Sequence, residues 1–87
     1  MILDNIEKQS VYAVQTGDFV GQLLVVVDVT KEYVGCLALP NMENVKVPAD
    51  KWTFGRNSDI LEYIEELSED IYEVTEAQYR KNENINY

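Results

Sequence analysis

The sequence contains no histidine, one cysteine, two prolines and four glycines in 87 residues. Without histidine the commonest general base and the commonest nitrogen metal ligand are missing together, so a zinc centre or a histidine-based triad is excluded. A lone cysteine cannot close an internal disulfide. Cys36 lies in an apolar run with no base or cation beside it, which makes it a small core residue in a reducing, cytoplasmic setting. The longest apolar run covers residues 23–27, too short for a bilayer, and Met1-Ile2-Leu3-Asp4 meets an acid before any stretch that could serve targeting. No membrane association is expected. The glycines are isolated, so no phosphate-cradling loop is present, and no cofactor is expected.

Bases are also scarce. Seven Lys and Arg stand against sixteen Asp and Glu, a formal charge of −9. Residues 1–56 hold seven acids and five bases, net −2, whereas residues 57–87 hold nine acids and two bases, net −7. Direct binding of nucleic acid is disfavoured by that sign, and a basic protein partner is its complement. With 46% hydrophobic and 26% charged residues, the balance is that of a folded domain rather than an acidic tail.

The chain is long enough for one domain: β-rich over 1–56, helical over 57–81, with a frayed polar tail at 82–87. Residues 11–15 read as a first strand and Gly17-Asp18 as the turn after it. Residues 20–30, β-branched and apolar, form a second strand, which Lys31-Glu32 turns into a third at 33–39. Pro40-Asn41 stops that strand, and residues 45–47 make a short fourth before Pro48. By parity Leu23, Val25, Val27 and Val29 oppose Leu24 and Val26, and Tyr33, Leu37 and Leu39 oppose Val34, Cys36 and Ala38. One face of the second strand is fully apolar and the other, shared with Gln22, Asp28 and Thr30, is half so, whereas a meander with one wet face should alternate more cleanly. The expected class is α+β: a small antiparallel β-meander or SH3-like partial barrel of four to five strands, followed by one acidic amphipathic helix.

Ile60, Ile64, Leu67, Ile71 and Val74 recur at alternating spacings of four and three, a helical seam. One helix is therefore expected from Ser58, as N-cap, to about residue 81, with Ile64 and Leu67 buried. Its weak point is Ser68-Glu69-Asp70, where a break would let residues 71–75 join the sheet as a fifth strand. On a continuous helix Asp59, Glu62, Glu66, Glu69, Glu73 and Glu76 fall in a second line on the far side from the seam. Their like-charge neighbours oppose the helix by roughly 0.2–0.5 kcal/mol per pair. That line is either an ordinary solvated face or a docking surface. As a ruler it would place its charges over about 26 Å, against roughly seven phosphates on one DNA strand of that length.

Tyr72 and Tyr79 lie on the same helix one heptad apart, as interface residues beside the acids or as half-buried rings sealing helix to sheet. Trp52 and Phe54 precede the helix and either plug the core or form a binding hot spot beside Arg56. Catalysis is not expected, because exposed carboxylates lack the burial that would tune one of them. Calcium is not expected either, since a straight helix cannot wrap one ion.

No motif identifies a family. In composition the chain is similar to the small acidic proteins with which bacteriophages bind host enzymes. The function expected from these residues is a non-enzymatic acidic binding protein that docks on a basic partner. A phage-type inhibitor or DNA mimic acting on a nucleic-acid-handling or defence protein is the specific form. The alternatives are an assembly subunit that forms a homodimer and a small-ligand-binding β-barrel.

Overall fold

The computed structural model describes residues 6–17, 20–51 and 61–84. Five strands and one helix succeed one another in chain order: β1 Ser10–Val14, β2 Leu23–Val29, β3 Tyr33–Leu39, β4 Glu43–Pro48, a 3₁₀ turn at Ala49–Lys51, β5 Leu61–Glu66 and α1 Glu69–Asn84. All pairings are antiparallel in the order β4-β3-β2-β1-β5, so the first four strands form a meander and β5 adds beside β1. The protein is thus α+β, with a five-stranded sheet and a C-terminal helix.

The meander obeys local chemistry closely. Thr30 closes the β2–β3 turn, its hydroxyl accepting from the amides of Glu32 at 3.2 Å and Tyr33 at 3.0 Å. β2 starts at Leu23, later than expected, because Gly21 takes φ +90° and donates to the Val14 carbonyl at 3.0 Å, closing a wider loop. Pro48 ends β4, an edge strand, where its missing donor costs least.

The expected single helix is corrected by the structure. Residues 61–66 are a strand, and the helix starts only at Glu69. The chain does change conformation at the Ser68 weak point, but the fifth strand lies before it rather than at 71–75. Alternation decides this: Leu61 is 4% exposed and Tyr63 half-buried, while Glu62 and Ile64 between and after them are exposed. Ile64 is 46% exposed and Leu67 half-buried, so the predicted seam is not the buried surface. The expected N-cap Ser58, and Trp52, Phe54 and Asp59, lie outside the described residues. Ser68 holds the N-cap position instead: its carbonyl accepts from Tyr72 N at 2.9 Å, and Glu69 and Asp70 place acids in the first turn.

Both sheet faces are buried, by different means. One gathers Ile6, Tyr12, Val14, Leu24, Val26, Val34, Cys36, Ala38 and Leu61, with Val45, Val47 and Tyr63 at the margin, as a barrel-like inner core. Tyr12 and Tyr63 meet edge to face, centroids 5.6 Å apart. Cys36 is fully enclosed, and burial pushes its thiol pKa up, which makes it inert at neutral pH. The other face carries α1, packed on β2, β3 and β4.

A bulge between Val26 and Asp28 switches the faces of the residues beyond it. Val29 joins Leu24 and Val26 in the inner core, against simple parity. Asp28 pairs with Gly35 and turns up beneath the helix. There Arg80 forks onto it at 3.0 and 3.1 Å. Tyr79 is fully buried against Gly35, where a Cβ would collide with the tyrosine hydroxyl. Asn44 donates to the Tyr79 carbonyl at 3.0 Å, and Asn82 donates to Met42 O at 2.9 Å and Asn44 Oδ1 at 3.0 Å. These polar contacts fix the direction in which α1 crosses the sheet.

Candidate functional site

The six-carboxylate line does not survive the change of element. Glu62 and Glu66 are on β5, opposite Ala13 and Ser10 respectively. Those partners are an odd number of residues apart in β1, so the two glutamates leave opposite faces of the sheet. Glu69, Glu73 and Glu76 are on α1, all on one flank of it at 3.6 residues per turn. Glu76 lies 3.5 Å from Arg80, which also holds Asp28. The hydrogen bond to Asp28 keeps the guanidinium still more firmly protonated.

Tyr72 and Tyr79 are placed under α1. Tyr79 has no exposed surface, and the half-buried Tyr72 donates to Val27 O at 3.4 Å. They seal helix to sheet, the second of the two roles the sequence left open. Burial raises the pKa of both phenols, with nearby carboxylates adding to it.

What remains exposed on β5 and α1 is an excess of acid. Residues 61–84 hold eight acids against Arg80 and Lys81. Glu83 pairs with Lys46 at 3.7 Å, and Glu62 accepts from Gln15 Nε2 at 3.0 Å. Glu65, Glu66, Glu69, Asp70 and Glu73 are exposed and have no ion pair or side-chain hydrogen bond among the described residues. Separate from the Glu69–Glu76 flank is an aliphatic one that sequence reasoning assigned to the core: Ile71 is 56% and Val74 68% exposed. The alternation of Leu61 and Tyr63 is the signal that would have released Ile64 and these two from the seam.

Among the described residues no group of three His, Cys, Asp or Glu side chains is placed to hold a metal ion, and no helix is long and apolar enough to cross a membrane. The inner face, which would line a ligand cavity in a barrel, is occupied by Tyr12, Tyr63, Leu24 and Val26. No protein-family model, curated protein or solved structure matches the chain.

Proposed function

We propose that this protein is a non-enzymatic binding protein that docks its acidic β5–α1 surface on a cationic surface of another protein. The observation that carries the reading is the set of exposed, unneutralised carboxylates Glu65, Glu66, Glu69, Asp70 and Glu73, in a segment whose Arg80 is already committed to Asp28 and Glu76. Exposed charge of one sign steers encounter and selects a partner of opposite sign, while contributing little to the fold. With the straight row broken, charge spacing no longer argues for imitation of a duplex. The inhibitor reading therefore rests on electrostatic docking.

The test compares wild type with a variant carrying Glu62, Glu66, Glu69 and Glu73→Gln, each immobilised and exposed to extract of the source cell. The reading expects a basic protein that the wild type retains, that salt releases and that the variant loses, with the fold unchanged. A partner held equally by both proteins would overturn it. Competition by duplex DNA for the captured partner separates mimicry from plain docking.

A homodimer is the second reading, favoured by the exposure of Ile64, Ile71 and Val74. It would need about 1,000 Å² or more of buried surface, and sedimentation at tens of micromolar measures it directly.

A further inference from the structure

The aliphatic flank of α1 has a direction that the polar contacts determine. Arg80 reaches Asp28 on one side of the helix, while Asn82 reaches Met42 on the other. Ile71 lies on the Asn82 side, since positions 71, 75, 78 and 82 keep helical spacing, and Val74 is about 60° from Ile71 around the axis. That side overlooks the row in which Leu39, Leu23, Ala13 and Glu62 are successive cross-strand partners. Leu23 is 37% exposed there, and Ile64, 46% exposed, is the extra residue of a bulge in β5, between Tyr63 opposite Tyr12 and Glu65, which pairs with Val11 on that face. α1 packs on β2, β3 and β4, leaving a step between the helix and the β1–β5 side of the sheet. Leu23 and Ile71 border it with Ile64 at the β5 bulge, Glu62 and Glu65 are exposed acids on its sheet side, and Val74 and Asp70 continue the aliphatic and acidic surface over the outward side of the helix.

We propose that this step receives a basic amphipathic segment of the partner protein, its aliphatic side chains against Ile64, Ile71 and Val74 and its Lys or Arg side chains on Glu62, Glu65 and Asp70. This rests on the docking reading above and names what docks. Helix propensity gives no reason for Ile and Val at exposed helical positions, since Ala or Leu would form the helix better. Apolar contact surface rimmed by charge is the layout of a protein interface. A second copy of the chain is the other possible occupant, and charge argues against it: each copy carries −9 and would bring the same acids to the joint.

The probe is a fluorescent helical peptide of leucines and lysines with one apolar face, compared with a scrambled peptide of identical composition and charge. Anisotropy titration should show the amphipathic peptide binding about tenfold tighter than the scrambled one or better, a lower bound for covering two aliphatic side chains. Ile71→Ser with Val74→Ser should remove that preference and leave the weak binding of the scrambled peptide unchanged. Circular dichroism and thermal melts of the variant check that α1 is intact, and Val74→Ser alone, the most exposed site, provides a milder version. Added salt should weaken peptide binding.

Equal affinity for the two peptides would overturn the proposal while leaving electrostatic docking to stand on its capture test. Absence of binding by both peptides would overturn it as well. So would self-association that strengthens with salt and is lost in the serine variant, since that outcome assigns the step to a second copy. Loss of the captured partner in the glutamine variant but not in the serine variant would uphold docking and refute this use of the step.

Discussion

β5 and α1 are neighbours in the chain, separated by Leu67 and Ser68, and both are built mainly from glutamate, branched aliphatics and tyrosine. One is a strand and the other a helix. Composition therefore does not distinguish them; the position of the buried side chains does. In β5 Leu61 and Tyr63, two apart, reach the inner core, and Tyr63 meets Tyr12. In α1 Tyr72 and Tyr79, two turns apart, reach the outer face of the sheet. Tertiary contact overrides a sequence pattern that fits a helix across both segments, because a second sheet edge next to β1 offers more burial than a solvated helical turn.

The largest effect that can break this comparison is at β5. Leu61→Ala should cost about 2–5 kcal/mol, as truncation of an enclosed leucine does. Ile64→Ala should cost about 1 kcal/mol or less, since its side chain is half in solvent. Denaturant unfolding of the two variants measures both. A continuous helix seamed by Ile64 requires the reverse order, so a costly Ile64→Ala beside a mild Leu61→Ala would return β5 to the helix.

The next effect is at the contact between α1 and the sheet. Gly35→Ala puts a methyl group into the Tyr79 hydroxyl and close to Asp28 Cβ, 3.2 Å away. Overpacking of this kind costs about 1–3 kcal/mol. Combining it with Tyr79→Phe should recover part of the loss, because the nearest atom is removed while the ring carbon behind it, at 3.1 Å, remains. If the double variant is no better than Gly35→Ala alone, Tyr79 is not what Gly35 accommodates, and the phase of α1 is wrong.

The meander was legible because its turns carry their own chemistry: Gly17-Asp18, Lys31-Glu32 and Pro40 mark the ends of strands whatever packs on them, whereas Gly21, read inside the second strand, closes the loop before it. The third strand was read to the residue. The second lost its phase after Val26, because a bulge has no signature in a run of valines. The helical seam failed for a related reason. Ile64, Ile71 and Val74 have helical spacing, and spacing alone cannot say which of two faces is buried. The tyrosines, amphipathic and therefore compatible with either face, hold the buried one at Tyr72 and Tyr79. Charge was read correctly in amount and segment, since it needs only composition, but its arrangement depends on the strand and helix being distinguished.

A smaller effect tests how far α1 is held by charge. Arg80→Gln removes the fork on Asp28 and the contact with Glu76, yet the Arg80 side chain is 46% exposed. Solvent and ions screen such a pair, so the loss should be about 0.2–1 kcal/mol and shrink in high salt. A loss several times larger and indifferent to salt would show that the fork, rather than the tyrosine contacts, anchors the helix.

The smallest effect at neutral pH is expected from Tyr79→Phe. The Tyr79 hydroxyl is buried and has no hydrogen-bond partner among the described residues. Its removal gives up no bond and relieves a desolvated polar group, so stability at pH 7 should stay level or rise by about 1 kcal/mol. The pH dependence supplies the sharper readout. Burial raises the Tyr79 pKa above its ordinary value of 10, so between the unfolded and folded values the unfolded chain binds fewer protons, and stability falls as pH rises. The tyrosine's contribution is complete below about pH 10 and is lost above it. Cys36 is displaced in the same direction from an ordinary value of 9 and begins its own loss earlier, so both proteins should weaken from about pH 9. Beyond pH 10 the wild type should steepen more than the variant, because Tyr72 adds the same slope to both and only the wild type also has Tyr79. Urea midpoints measured from pH 7 to 11 separate the curves. Parallel curves across that range would mean that the Tyr79 hydroxyl is solvated, and α1 would then sit less deeply on β3 than the wholly buried ring requires.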